Sequence, residues 1–149
     1  MKRIAPVVAV FACAGLLAAC DSGPDYHRYP APLRLQAVSV TALRTTAEVP
    51  GRYNVTGTIV KVTTCDCPPD LRCSLCAFPN GIIISETGAP LQPGDYHSGD
   101  ATSYLLIEAE DPEQFKAGER YVFSVEVTPT YAQQRPVYQA ELLGYGLPE

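Results

Sequence analysis

The chain of 149 residues has no tryptophan, one methionine, two histidines and four phenylalanines. The missing tryptophan decides nothing about class. The shortage of histidine decides more. His27 falls in a proline-rich stretch, and His97 sits in Tyr96-His97-Ser98-Gly99-Asp100, where Asp and Gly give the chemistry of a polar loop. There is no H-E-x-x-H, no G-x-S-x-G and no glycine-rich phosphate loop, so no catalytic constellation is recognised and the chain does not read as an enzyme. Its longest apolar run, Ile4 to Leu16, is shorter than the roughly 20 residues a bilayer-spanning helix needs. Cations are scarce too: 11 Lys and Arg stand against 16 Asp and Glu, for a net charge of −5. An acidic domain repels phosphates, which argues against nucleic acid as a partner. No internal repeat is visible.

What the chain does have begins at its amino end. Met1-Lys2-Arg3, the short apolar run and the small residues Leu17-Ala18-Ala19 before Cys20 form an export signal. Leu17-Ala18-Ala19-Cys20 resembles the lipobox of bacterial lipoproteins. That resemblance implies a signal peptide over residues 1–19, cleavage before Cys20, and lipidation of Cys20 by a thioether-linked diacylglycerol and a palmitate-type acyl chain on its amine. Several acyl chains hold a protein stably on a membrane where one is marginal. Asp21 follows the lipidated cysteine. In enteric-type bacteria it resembles the residue that keeps a lipoprotein on the inner membrane, facing the periplasm; the outer membrane is the alternative.

Removing 19 residues leaves 130, enough for one domain. The mature chain then holds nine basic and sixteen acidic residues, a formal charge of about −7. Residues 20–32 carry three prolines and one glycine with little aliphatic content, and read as a tether reaching on the order of 30 Å. Residues 33–149 read as a single β-rich domain.

Within that domain Leu33–Val40 is expected to be a strand or an extended lead-in. Tyr53–Thr64, rich in β-branched residues, is a strand whose apolar residues change face around Gly57, which suggests a bulge there. Asn80-Gly81 is a turn signal leading into Ile82–Ile84. Thr87–Ala101 reads as loop and Ser103–Ala109 as a further strand. Asp111–Gly118 reads as a short helix, with Asp111 as cap, Pro112 in the first turn and Phe115 as its core contact. Tyr121–Val127 and Val137–Tyr145 complete the strands. Five strands with a helical element between the third and fourth resemble an OB-fold, a resemblance that spans roughly Gly51–Gly146 and includes Phe115-x-x-Gly118-x-x-Tyr121-x-Phe123-x-Val125 at the fourth strand. The implied fold is all-β: a small five-stranded OB-like barrel with one short helix, after an amino-terminal tether. The alternative is an immunoglobulin-like β-sandwich, which needs about seven strands.

With Cys13 cleaved and Cys20 lipidated, four cysteines remain: Cys65, Cys67, Cys73 and Cys76, in the pattern C-x-C, five residues, C-x-x-C. Three readings stay open. In an oxidising compartment they form two disulfides, paired between the two halves because residues two apart in an extended segment splay their Cβ atoms. As four thiolates they could hold a tetrahedral zinc-type ion. As a C-x-x-C pair beside Arg72 they could exchange disulfides. Tyr104, Tyr121 and Tyr138 are a possible aromatic ligand face of the kind OB-folds use, with core packing as the plainer role. The acidic run Glu108, Glu110, Asp111, Glu113 suits a solvated strand end and helix start. Asn54-Val55-Thr56 matches the glycosylation triplet but falls inside an expected strand, so it is discounted. The expected function is a membrane-anchored envelope lipoprotein acting as a non-catalytic binding or structural module. Its partner is then an envelope protein or other envelope component, and it carries no cofactor. The alternative is a metal-binding or thiol-redox protein working through the cysteines.

Overall fold

The computed structural model describes residues 28–65, 78–92, 103–132 and 135–148. Among the described residues, six strands and one α-helix follow in order: β1 (Ala37–Val38), α1 (Val40–Thr45), β2 (Gly51–Thr63), β3 (Gly81–Ser85), β4 (Tyr104–Glu108), β5 (Arg120–Ala132) and β6 (Arg135–Gly146). A single 3-10 turn, Pro112–Gln114, separates β4 from β5.

β2 to β6 form a ring. β2 pairs with β3 and β3 with β4, both antiparallel; β4 pairs with β6 in parallel; β6 pairs with β5 and β5 with β2, again antiparallel. Past the ring, β5 and β6 continue as a two-stranded hairpin, pairing Thr128 with Gln139 through Ala132 with Arg135. The protein is therefore all-β, built as the small five-stranded OB-like barrel expected, with its turn between the third and fourth barrel strands. The sheet does not divide into the two layers of a sandwich.

β2 serves two neighbours because it bends. Gly51–Thr58 lies against β5, while Thr58–Thr63 lies against β3, with a register shift between Ile59 and Lys61. One residue, Val60, is thereby left over, and the inward phase moves from odd to even positions. The bulge lies three residues beyond Gly57, the position the sequence suggests. Gly57 serves close packing instead. A Cβ there would stand 2.8 Å from Ile84 Cδ1, so the missing side chain lets β2 approach β3.

The interior holds Val55, Ile59, Ile82, Ile84, Leu105, Ile107, Phe123, Val125 and Val127, all essentially without solvent exposure. Each such side chain contributes about 1.5–3 kcal/mol by leaving water. The outer face of β3 is covered as well. Ile83 and Tyr104 form a second cluster with Val60, Phe78, Leu91 and Leu106. β3 is thus buried on both faces, which is why it reads Ile-Ile-Ile rather than alternating.

One local expectation narrows and two need correction. Of the two readings of Leu33–Val40, the extended lead-in is the one that holds: only Ala37 and Val38 join a ladder, pairing in parallel with Asn54 and Val55, and Val40 already belongs to the next element. The helix α1 follows at once, where none is expected. Ser39 caps it by accepting the Ala42 N–H at 2.9 Å, and Val40 and Leu43, three residues apart, bury one face in the core. Val40, Thr41 and Thr45 are β-branched and weak helix formers, so tertiary burial outweighs propensity. Finally, Asp111–Gly118 is a three-residue 3-10 turn rather than a helix: the Asp111 side chain makes no cap bond, and the chain turns extended at Phe115. Phe115 is nonetheless buried, as expected.

Candidate functional site: the strap and the cleft at its entry

The segment Tyr29–Val38 crosses the outside of β6, β5 and β2 as a strap. Its contacts run in sequence. The Tyr145 N–H donates to the Pro30 carbonyl at 3.1 Å. The Leu33 N–H donates to Ser124 Oγ at 2.8 Å, and Asn54 Nδ2 donates to the Leu33 carbonyl at 2.8 Å. Ser124 Oγ in turn donates to Asn54 Oδ1 at 2.6 Å, so one Ser–Asn pair grips both backbone groups of Leu33. Ser124 is fully buried under the strap. The Asn54 N–H then donates to Gln36 O at 2.8 Å before β1 begins. Two glycines make the floor. A Cβ at Gly144 would lie 2.8 Å from the Pro30 carbonyl oxygen, and one at Gly146 would lie 2.7 Å from Pro32 Cδ. The prolines suit this path because neither has an N–H to satisfy.

Tyr29 to Pro32, assigned by composition to the tether, therefore lie on the barrel. Tyr29 closes the strap. Its phenol oxygen accepts the Glu110 N–H at 2.8 Å, and its ring meets Tyr145 edge-on at 6.3 Å. Tyr145 also packs against Phe115 at 4.8 Å and Tyr121 at 5.4 Å, both edge-to-face. Such aromatic pairs contribute about 0.5–1.5 kcal/mol each beyond area burial.

Where the strap enters, a cleft of about 410 Å³ opens between Tyr29, Asn80, Glu108, Glu110, Glu141 and Leu142. Burial pushes the Tyr29 phenol above its ordinary value of 10. The Glu110 N–H pulls the other way, and the negative charges of Glu110, Asp111 and Glu141 raise it further. Tyr29 is therefore neutral at any physiological pH. Glu108 accepts a hydrogen bond from Gln139 Nε2 at 3.1 Å. Glu108 and Glu110, the first two members of the acidic run read as a solvated strand end, thus line one wall of this cleft. Among the described residues no three of His, Cys, Asp and Glu come together to hold a metal ion.

The sequence-derived candidates distribute as follows. Cys65 stands two residues beyond β2, and its N–H donates to the Asn80 side-chain oxygen at the rim of the same cleft. Cys67, Cys73, Cys76, Cys20, Asp21, His27 and His97 lie outside the described residues. Tyr104 belongs to the outer cluster over β3, with its hydroxyl donating to Pro90 O at 3.2 Å. Tyr121 belongs to the aromatic group at the other side, donating to Glu119 Oε2 at 2.9 Å. Burial raises the Tyr121 phenol as well, and the Glu119 carboxylate adds to it. The fold does not bring Tyr104 and Tyr121 together. Tyr138 sits on β6 opposite Pro129.

Sequence reasoning missed Ser124, Asn54, Gly144 and Gly146 as strap contacts. The one visible signal is Gly144-Tyr145-Gly146 inside the last strand, since glycines in a strand mark a close backbone approach. Asn54 stands out in the sequence only as a glycosylation triplet; its amide is spent on Leu33 and Ser124. Comparison with protein-family models, curated proteins and solved structures finds no match to this chain.

Proposed function

We propose that this chain is a bacterial envelope lipoprotein, anchored through Cys20 and facing the periplasm, whose barrel acts as a non-catalytic binding or structural module. The observation that carries the reading is the strap. The first described residues after the lipobox are gripped across three barrel strands, as expected of a domain held by its amino end. The mature chain is acidic, which favours a protein or other envelope component over nucleic acid as its partner. Asp21 favours the inner membrane.

The cysteine cluster is proposed as two disulfides that pin the connection between β2 and β3. Support comes from the cysteine count and the expected address: four cysteines remain in a domain exported to an oxidising space, where thiols pair rather than load a metal. The connection leaves the barrel at the cleft, which makes this end the proposed binding surface.

Three measurements test the proposal. The intact mass of the mature protein is expected to show loss of residues 1–19 and gain of lipid at Cys20, with four hydrogens missing until reductant is added. Four free thiols with bound zinc would favour the metal-binding alternative instead. Fractionation of wild type and Asp21→Ser is expected to move the protein from inner to outer membrane; an unchanged outer-membrane location in both refutes the sorting role. Cross-linked capture from membranes identifies the partner, and recovery of a substrate-modifying activity with the purified chain alone would end the non-catalytic reading.

A further inference from the structure

The barrel has two distinct ends. At one end lie Thr63 of β2, Gly81 of β3 and Glu108 of β4, adjacent in the ladders, together with Cys65, Asn80 and the cleft. At the other lie Ser85 of β3 and Tyr104 of β4, with α1 fastened to them: Arg44 donates to the Tyr104 carbonyl, and the Thr41 N–H donates to Glu86. The strap runs from the first end to the second, entering at Tyr29 and delivering the chain into α1. Its path is fixed by the Tyr29, Pro30, Leu33 and Gln36 contacts, so the tether leaves the barrel at one defined point, the cleft end.

We infer that the strap is an orienting clasp: it turns the cleft and the root of the cysteine segment toward the membrane and points α1 away from it. This inference rests on lipidation of Cys20. Nine residue steps separate Cys20 from Tyr29, a span of at most about 30 Å when fully extended. A flexible tether ending at a free domain would let the barrel tumble. A tether clasped at Tyr29 keeps the cleft end nearer the bilayer, because the two ends of β3 and β4 are separated by about 15 Å of strand. Glu108, Glu110 and Glu141 at that end are repelled by anionic headgroups, so the cleft faces the membrane without lying on it.

The test uses the full-length lipidated protein in vesicles of phosphatidylethanolamine and phosphatidylglycerol. A fluorophore is carried on a non-natural residue at exposed Glu113, near the cleft, or at exposed Thr87, near α1. Energy transfer to an acceptor lipid is expected to be several-fold stronger from position 113. In Gly144→Val, which cannot seat Pro30, the difference is expected to collapse while membrane binding and a cooperative melt persist. Should that variant fail to fold, Ser124→Ala, which loosens Leu33, is expected to narrow the difference. Equal transfer from both positions in the wild type overturns the clasp, as does a difference that Gly144→Val leaves intact. Absence of lipid mass on Cys20 overturns the anchoring, and the orientation with it; lipid present with equal transfer overturns the orientation alone.

Discussion

Two outward faces of one barrel are covered in opposite ways. Over β3 the cover is apolar: Ile83 and Tyr104 are sealed by Val60, Phe78, Leu91 and Leu106, and Lys61 lies 5.1 Å over the Phe78 ring. Over β5 and β6 the cover is a strand-like strap on glycine, held by a serine, an asparagine and backbone groups. The apolar cover is non-directional, so it contributes stability without specifying one register. The strap's hydrogen bonds contribute less each, but their geometry admits one alignment. One face therefore secures the fold, and the other fixes where the chain leaves it.

The comparison breaks most visibly at Ile83. Ile83→Ala deletes a fully buried side chain between packed neighbours and is expected to cost about 2–5 kcal/mol in urea unfolding. Strap accessibility in the folded protein, read as trypsin cleavage after exposed Arg34, is expected to stay unchanged. A cost under about 1 kcal/mol would show that the outer cluster adds little to the core.

The reverse pattern is expected at the strap. Gly144→Val forces a branched side chain where even Cβ meets the Pro30 and Ala31 carbonyls at 2.8 and 2.9 Å. Overpacking of this kind costs about 1–3 kcal/mol, and cleavage after Arg34 is expected to accelerate strongly. Continued protection of Arg34 in that variant contradicts the described seat.

Ser124→Ala is subtler. It leaves the Leu33 N–H without its acceptor and removes the donor to Asn54, at an expected cost of about 1–2 kcal/mol. Pairing it with Asn54→Ala in a double-mutant cycle is expected to show coupling, since both grip Leu33. Additive losses would mean that the two side chains act separately.

The smallest effect is a pH dependence. Tyr29 has a raised pKa in the folded state, so the folded state holds its proton more tightly than the unfolded one. Its contribution is fully present below about pH 10 and is lost as pH rises through the higher folded value. Alkaline titration is expected to open the strap before the barrel unfolds, and Tyr29→Phe is expected to abolish that early step. An early step that survives the substitution belongs to another group.

How much of this is legible in the sequence varies by element. Barrel strands β2, β4, β5 and β6 show themselves by β-branched content or alternation, and β3 by a short isoleucine run behind a turn. Phe115 reads as a core residue from its place after Asp-Pro. The helix α1 does not read as a helix, because Val40, Thr41 and Thr45 favour strand and only the burial of Val40 and Leu43 reverses them. The first part of the strap, Tyr29–Pro32, does not read as part of the domain, because proline-rich composition describes a tether equally well whether or not a surface receives it. The cleft is legible only as an acidic run; its depth comes from Tyr29 and Asn80, distant in sequence.

The sequence by itself determined the class and carries the address proposed above. The lipobox-like Leu17-Ala18-Ala19-Cys20, the acidic balance, the four clustered cysteines and the spacing of five strands are all local patterns, and local patterns are what a linear reading senses. Only the tertiary structure decided that Asn54, Ser124, Gly144 and Gly146 act together on Pro30 to Leu33. The Leu33–Ser124 contact alone joins positions 91 residues apart, and the two glycines lie farther still from the prolines they seat. Each residue type is unremarkable alone, and only the closed ring of strands brings them to one face.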